Sequence, residues 1–392
     1  MNFDFVFHGL LATGLVIIFG LFAGKLSSRL HIPKITGYLL LGVAIGPSGL
    51  DIVSNGMAHS LEVVKDLALG MLLFAIGAVF EVHSFRSIGF KIVRLTFVMA
   101  AITFALVTFG LYALGENLYF AAVMGSIAIT TSPGAALLVT REFNAKGPLT
   151  DTLILVVGIS NVLSILTYQL MVSLGQASPE ATLLRTLGWL GAELVASVIL
   201  GALVGAFISW WEGKVEDQAE LILAFVAGVI LVTGLSKSFG INPLLPALVM
   251  GVVTTNMSMM HRLIYVEMRQ TEQPLYIAFF VLSGVALNLR LLSSLGFAGI
   301  GYMILRGIGK VGSVRYFSKF LKLGPVVGNY LGPSLLAQGG VAIGLAMDLT
   351  GVFPEMAGRV SSIILTTVIV FEIIGPLAIR WSLIKAGEAH ES

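Results

Sequence analysis

The chain has 392 residues, of which 57% are hydrophobic and only 11% are charged, and its formal net charge at pH 7 is +2. Soluble domains carry about 25% charged residues, so this composition excludes a soluble globular protein and a basic nucleic-acid-binding module. The absence of cysteine also excludes disulfide frameworks, thiolate metal sites and cysteine nucleophiles. Composition therefore predicts an all-α membrane protein that lies in the lipid bilayer and needs no cofactor.

Apolar stretches of about 20 residues, the length that crosses a bilayer as a helix, recur along the whole chain. A re-entrant loop in place of one short stretch is an alternative, and it would leave the fold class unchanged. The stretches predict about thirteen transmembrane helices, at 9–30, 33–50, 62–80, 90–114, 118–140, 149–174, 185–211, 218–237, 242–257, 272–290, 294–320, 329–350 and 357–384.

Lysine and arginine are divided unevenly between the two sets of alternate loops. One set contains sixteen of them and the other five, while the remaining two, Arg306 and Lys310, lie inside the stretch 294–320. Because cytoplasmic loops are enriched in basic residues, this asymmetry predicts an N-terminus outside the cell and a cytoplasmic C-terminus. It also fits a multi-pass protein of the plasma (inner) membrane.

Two of the predicted spans contain residues that interrupt a helix near the middle of the membrane. The span 118–140 contains Thr130, Thr131, Ser132 and Pro133, and the span 329–350 contains Leu336–Gly340, with Gln338 at its centre. Two broken helices that run in opposite directions are typical of inverted-repeat transporters, in which half-helix ends offer partial charges to an ion. Two ordinary helix kinks are the alternative interpretation.

Ionisable residues inside the predicted spans are few, and such residues are costly and usually functional. Arg306 and Lys310 are four residues apart and therefore share one helical face. Glu372 lies in the last span, and a pairing with one of them, in a structural role, is one interpretation of it. The histidines have no ligand spacing, so no metal site is predicted. No catalytic motif at useful spacing is present either, so the chain is not expected to be an enzyme.

Several motifs together resemble the monovalent cation:proton antiporter superfamily, which comprises bacterial sodium/proton exchangers and potassium-efflux antiporters. Each motif alone is weak, but the likeness extends over almost the whole chain. The motifs are Pro33–Tyr38 with Ile45–Leu50, Thr130–Pro133 with Ala145–Thr150, Arg306–Lys310, Gln338–Leu345 and Phe371–Pro376.

The resemblance implies a fold with inverted repeats and two crossed broken helices, and transport by alternating access with vertical movement of a core domain. It implies a single transmembrane unit over 1–386, with core helices at about 62–174 and 272–384 and dimer or scaffold helices at about 9–50 and 185–257. A homodimer is expected. Many relatives add a nucleotide-binding regulatory domain, whereas here only a short cytoplasmic tail, 387–392, is expected, with a separate regulatory subunit as an optional partner.

The sequence departs from the resemblance at the position that carries the transport chemistry. Members of the superfamily have an Asp-Asp or Asn-Asp pair after the first broken helix, and the second Asp binds the cation and the proton in turn. The matching residues here are Ser160 and Asn161, which do not titrate. Lys310 would then lack its carboxylate partner, and a buried unpaired ammonium is penalised.

Three interpretations follow from this departure. The first is a cation:proton antiporter in which Ser160, Asn161, Thr130 and exposed carbonyls bind the ion and Lys310 or Glu372 carries the proton. An engineered Asp→Asn change at Asn161 is a variant of it. The second is a transporter of an anion or a neutral solute through a site biased positive by Arg306 and Lys310. The third is a homologue without transport activity that acts as a sensor or partner subunit.

Overall fold

The protein is described here by a computed structural model that covers residues 9–30, 33–53, 62–78, 82–176, 183–215, 217–257, 274–285 and 296–389. Every regular element in these ranges is an α-helix, so the predicted fold class is confirmed. In chain order the helices are α1 (Gly9–Arg29), α2 (Lys34–Ile45), α3 (Glu62–Gly77), α4 (Val82–Ala113), α5 (Leu118–Ala128), α6 (Pro133–Glu142), α7 (Pro148–Gln176), α8 (Leu183–Glu212), α9 (Gln218–Ser238), α10 (Leu244–Met257), α11 (Pro274–Val285), α12 (Gly296–Phe320), α13 (Pro325–Ser334), α14 (Gly340–Val352) and α15 (Pro354–Lys385).

Six helical segments within the described ranges are long and apolar enough to cross a membrane, by length and composition. They lie in α4, α5 with α6, α7, α8, α9 and α15. Helices α2, α10 and α11 are apolar but shorter. If α5 with α6 and α13 with α14 each count as one span, the described helices correspond one to one with the predicted stretches. The number of membrane crossings, the inverted repeat and the orientation stay predictions.

Large apolar side chains cover much of the outer surface of the helices. Phe22 in α1 and Leu203 in α8 are exposed, and Phe297 and Phe320 are exposed at the two ends of α12. A soluble protein rarely exposes so much contiguous apolar surface. The protein is therefore a multi-pass membrane protein whose outer surface faces lipid.

Two helix boundaries differ from the predicted stretches for local reasons. Helix α2 ends at Ile45, five residues before the end of the stretch 33–50, because Gly46 is extended and Pro47 cannot continue the hydrogen-bonded ladder. Helix α4 begins at Val82 rather than at residue 90. The prediction followed only the apolar residues, whereas a helix can continue beyond the hydrocarbon layer into polar surroundings.

Helix α3 packs closely against α10 through glycines on both helices. A Cβ atom at Gly77 would lie 2.0 Å from the Leu248 carbonyl oxygen, and one at Gly251 would lie 2.1 Å from the Phe74 carbonyl oxygen. Small residues allow membrane helices to approach to this distance. The predicted division assigned α3 to the core unit and α10 to the dimer unit, and that division stays a prediction.

The segment after α15 returns to the start of α7. The Glu388 carboxylate accepts hydrogen bonds from the backbone N–H groups of Leu149 (2.6 Å) and Thr150 (2.7 Å) and from the Thr150 hydroxyl (2.7 Å). The Glu388 carbonyl oxygen accepts a further bond from the Lys146 N–H (3.2 Å). A carboxylate at this position satisfies the free N–H groups of the first helical turn and complements the helix dipole.

We expect Glu388→Ala to lower the thermal stability of the purified protein, because the first turn of α7 loses a charged acceptor worth about 1.5–3 kcal/mol. Thermal unfolding in detergent measures the change. Lys385→Ala, which removes an exposed charge three residues earlier, is the matched control. Equal unfolding temperatures for the two variants would contradict this role of Glu388.

Candidate functional site

The first helix break separates α5 from α6 at residues 129–132. Pro133 has no N–H to donate to a preceding turn, so α6 begins there. The Ser132 side chain caps this start by accepting a hydrogen bond from the Ala135 N–H (3.3 Å). The Thr130 hydroxyl donates to the Ile127 carbonyl (2.8 Å) at the end of α5. The predicted interruption is confirmed, and its cause is local.

The second break, residues 335–339, separates α13 from α14 and touches the first. Pro333 lies in the last turn of α13, and α14 begins at Gly340. The Ser132 N–H donates to the Ala337 carbonyl (3.0 Å), so a backbone hydrogen bond joins the two segments. Residues 129–132 and 335–339 are called the paired breaks below. Half-helix ends of both spans therefore meet in the protein interior.

Lys310 occupies an oxygen cage at the first break. Its buried ammonium donates to the carbonyls of Ile129 (2.9 Å) and Thr130 (2.7 Å) and to the Thr131 hydroxyl (2.5 Å). Both carbonyls follow directly after α5, where the helix dipole is negative. The three N–H bonds of the ammonium are therefore satisfied by neutral oxygens, without a carboxylate.

Arg306 joins the two breaks from the same helix. Its Nη1 donates to the Leu336 carbonyl (2.8 Å), and its Nη2 donates to the carbonyls of Thr130 (2.8 Å) and Ala337 (3.2 Å). Its guanidinium carbon lies 4.5 Å from the centre of the Phe371 ring, close enough for a cation–π contact. Arg306 therefore neutralises the carbonyl ends of α5 and α13 together.

Asn161 reaches the first break from α7. Its Nδ2 donates to the carbonyls of Thr131 (2.8 Å) and Val157 (2.8 Å), and its buried Oδ1 has no hydrogen-bond partner among the described residues. Ser160 is also buried, but its hydroxyl donates back to the Val157 carbonyl (3.1 Å). Of the two residues, Asn161 therefore contacts the break, with one acceptor atom unused.

Gln338, at the second break, is held by a hydrogen bond to Tyr302, a residue that the sequence analysis did not identify. Its Nε2 donates to the Tyr302 hydroxyl (2.7 Å), to the Thr130 hydroxyl (3.3 Å) and to the Ile127 carbonyl (3.5 Å). Tyr302 is fully buried and precedes Arg306 by four residues, so it lies on the same face of α12. The four-residue spacing from Arg306 indicates that Tyr302 faces the site. An uncharged tyrosine in an apolar span does not by itself indicate a functional residue.

Glu372 does not pair with Arg306 or Lys310, so that interpretation of its role is wrong. Its carboxyl is buried, makes no ion pair with either cation and forms no well-directed hydrogen bond, although the Ser132 hydroxyl lies close enough to interact with it. A Cβ atom at Gly339 would lie 1.7 Å from Glu372 Oε1. The carboxyl therefore lies at the starts of α6 and α14, where helix dipoles are positive. Arg306 and Lys310 lie instead at the ends of α5 and α13, where helix dipoles are negative.

These contacts define what the site can do chemically. Backbone carbonyls, hydroxyls and amide oxygens are the ligands that alkali cations and ammonium groups share, and the titratable side chains described at the paired breaks are those of Tyr302, Arg306, Lys310 and Glu372. The site can therefore bind a small cation or hold a proton on a side chain. Whether each residue acts in transport stays a prediction.

Comparison with known proteins gives one matching family and several relatives. The family model described as "Sodium/hydrogen exchanger, transmembrane" matches residues 14–385. The chain is similar to the ammonium/H(+) antiporter subunit AmhT of Alkalihalophilus pseudofirmus, at 21% identity over 69% of each chain. It is also 26% identical to a protein assigned as the K(+) efflux antiporter KefB of Alkalimonas amylolytica, over 93% of this chain and 55% of that relative.

Solved structures of one antiporter have a similar fold. Two structures of the sodium proton antiporter MjNhaP1 from Methanocaldococcus jannaschii match with TM-scores of 0.70 and 0.76, each at 18% identity. They cover 97% and 96% of this chain and 96% and 94% of the matched chains. At this level of identity the likeness concerns the fold. Together with the family match, it supports the antiporter superfamily inferred from the motifs.

A glycine on α15 keeps the second break in place, and its replacement should disturb the site. A Cβ atom at Gly375 would lie 2.4 Å from the Cα atom of Ala337, so Gly375→Ala overpacks the contact at a cost of about 1–3 kcal/mol. We expect a lower unfolding temperature in detergent. Gly358→Ala on the same helix, where no atom lies within 4 Å of the added Cβ, should leave that temperature unchanged. A stable Gly375→Ala protein would contradict the close packing.

Proposed function

The chain belongs to the sodium/hydrogen exchanger family, and from this premise we propose that it exchanges a monovalent cation, Na⁺ or K⁺, for protons across the membrane by alternating access. The observation that carries the proposal is the oxygen cage around Lys310. The Lys310 ammonium is bound by carbonyl and hydroxyl oxygens, which are the ligands that a dehydrated alkali cation would use. In the proposed exchange, the transported cation and the protonated lysine compete for the same oxygens.

The cage supplies neutral ligands of the right kind. Two carbonyls and the Thr131 hydroxyl already contact the ammonium of Lys310. Asn161 lies beside Thr131 with a buried, unused Oδ1 atom, which would add a fourth oxygen. Such oxygens bind hard cations. Thr130 and Gln338 hold the adjacent backbone in position through their own hydrogen bonds.

Charge balance explains how the exchange could work without an aspartate. When a cation enters the cage and Lys310 releases its proton, the number of positive charges in the cage does not change. In relatives, one aspartate is expected to bind both the proton and the cation. Here Lys310 carries the proton, and neutral oxygens bind the cation. Arg306 stays charged throughout and holds the carbonyls of both breaks.

The alternative functions lack a comparable observation. A site for an anion would need several free donors, yet Lys310 and the Nη atoms of Arg306 donate to carbonyl and hydroxyl oxygens of the paired breaks. Among the described contacts of the two cations, only Arg306 Nε is left as a buried donor without a partner. A chain that only senses or accompanies another transporter would not need an ammonium in a cation-like cage. Transport of an anion or neutral solute, and a sensor role, therefore remain outcomes of the test.

We further propose that the protein resides in the plasma (inner) membrane, with its N-terminus outside and its C-terminus in the cytoplasm. It acts as a homodimer with or without a separate regulatory subunit, and it works without a cofactor. The distribution of basic residues and the family membership support this arrangement. Crosslinking in native membranes would test the dimer.

The exchange is measured in liposomes that contain a pH-sensitive dye and receive pulses of Na⁺, K⁺ or Li⁺. We expect at least one cation to drive proton movement through the unmodified protein. Lys310→Ala should remove this coupled movement, because the cage can then bind a cation without releasing a proton. Lys319→Ala, at the exposed end of the same helix, is the matched control and should retain it.

Two outcomes of this assay would contradict the proposal. Silence towards every cation combined with a response to anions would favour the anion transporter. Unchanged coupling and unchanged pH dependence in the Lys310→Ala protein would remove Lys310 from the mechanism.

Asn161→Asp should strengthen the exchange. A carboxylate beside Thr131 gives the cation a counter-charge, and we expect the apparent KM for the cation to fall roughly tenfold, which corresponds to about 1.4 kcal/mol. Adding Ser160→Asp tests whether the second acidic residue contributes further. Asn256→Asp, on an exposed part of α10, controls for the added charge. A KM that does not fall in the Asn161→Asp protein would contradict the position of Asn161 beside the transported ion.

A further inference from the structure

A small cavity lies beside the second break, at the start of α14, and its lining does not include Lys310. Helices α2, α11, α14 and α15 surround it, and it has room for about one water molecule. Its lining is apolar apart from backbone atoms and two side chains, Ser283 of α11 and Glu372 of α15. A hydroxyl and a carboxyl thus share one small enclosed space.

Both side chains are buried, and neither has its expected partner. Ser283 is 6% exposed and Glu372 is 2% exposed. The Ser283 hydroxyl and both carboxyl oxygens of Glu372 lack a well-directed hydrogen bond in the described part of the protein. Buried polar groups are almost always hydrogen-bonded. The Ser132 hydroxyl is the one polar side chain described close to the Glu372 carboxyl. Because the Ser283 hydroxyl and the carboxyl face the same cavity without a well-directed bond, we infer a ligand between them.

The charge of Glu372 is not countered by a side chain. Arg306 and Lys310 are the buried cations described near the paired breaks, and both donate to oxygens of the breaks instead. The cavity lining contains no titratable group besides Glu372. A carboxylate in the membrane interior is costly unless a positive charge or a proton accompanies it.

The walls of the cavity exclude a hydrated ion. The Phe280 ring lies 2.5 Å from the position of a Cβ atom at Gly134, and the Phe279 ring lies 2.7 Å from that at Gly340. The two rings therefore pack directly onto the first turns of α6 and α14. Whatever enters the cavity has to shed its water shell.

We propose that this cavity is a second cation site, which binds one dehydrated alkali cation no larger than K⁺. The Glu372 carboxylate supplies the counter-charge, and the Ser283 hydroxyl supplies a neutral oxygen ligand. This inference rests on the proposed exchange function and adds to it a second ion-binding site formed by Ser283 and Glu372. The cavity lining does not include Asn161, the position at which the family resemblance implies the ion-binding carboxylate.

The chemistry of the two groups favours a cation. Carboxylate and hydroxyl oxygens are ligands of hard cations, and a carboxylate can hold either a proton or a metal ion. Na⁺ and K⁺ fit a space that admits one water molecule, whereas Cs⁺ and organic ammonium ions are larger. The site therefore exchanges a small cation for a proton on Glu372.

The test is thermal unfolding of the full chain in detergent during titration with NaCl or KCl, at constant ionic strength kept with N-methylglucamine chloride. Binding to the folded state raises the unfolding temperature. We expect Na⁺ or K⁺, but not Cs⁺, to stabilise the unmodified protein. Ser283→Ala should raise the half-maximal cation concentration roughly fivefold to tenfold, the effect of one lost polar contact.

Two further variants complete the test. Ser382→Ala is the matched control, because the Ser382 hydroxyl is also buried without a partner but does not line the cavity; it should titrate like the unmodified protein. Glu372→Gln should abolish the cation-specific stabilisation, and Glu372→Asp should retain part of it. Equal half-maximal concentrations for Ser283→Ala and Ser382→Ala would overturn the site, as would full stabilisation of Glu372→Gln.

The same proteins in the liposome assay separate the two proposals. Coupled transport that is insensitive to Ser283→Ala and Glu372→Gln would overturn the second site and leave the Lys310 mechanism in place. Cation-specific stabilisation that depends on both residues, in a protein without transport, would support the site and overturn the exchange function.

Discussion

Ends of four half-helices meet in the protein interior, where their free backbone groups need partners, and this constraint governs the arrangement of the site. The carbonyl ends of α5 and α13 face the two cationic side chains of α12, Arg306 and Lys310. The amide ends of α6 and α14 face the carboxyl of Glu372. Each broken end is thus matched by a side chain of opposite charge. Arg306, Lys310 and Glu372 form no salt bridge with one another, and each lies instead at a helix end of opposite partial charge.

The replacement of an expected carboxylate by Asn161 changes how this arrangement is balanced. An amide can offer an oxygen to a cation, but it cannot take up a proton. In this protein the Lys310 ammonium fills the gap by using the carbonyls of Ile129 and Thr130 as its acceptors. The site keeps its positive charge inside a ring of neutral oxygens. Competition between a lysine and a metal ion for those oxygens is the simplest chemistry that this arrangement supports.

The fold class and the positions of both breaks could be predicted from the sequence because they depend on local chemistry. Pro133 has no N–H to donate to the preceding turn, so it favours the start of a helix, and apolar stretches of about 20 residues favour transmembrane helices. The partners of Glu372 could not be predicted in this way. Formal charges suggested a salt bridge with α12, but the dipoles of α6 and α14 become partners only once distant helices have packed. Tyr302 was missed for the same reason, since its hydroxyl matters only beside Gln338.

The contact between Glu388 and α7 has a mechanical consequence. Helix α7 carries Asn161 and helix α15 carries Glu372, and the end of α15 is fastened to the beginning of α7 through Leu149 and Thr150. Sliding of one helix along the other would break these hydrogen bonds, so we expect the two helices to move together. A movement of α7 that displaces Asn161 would therefore displace Glu372 on α15 in the same direction.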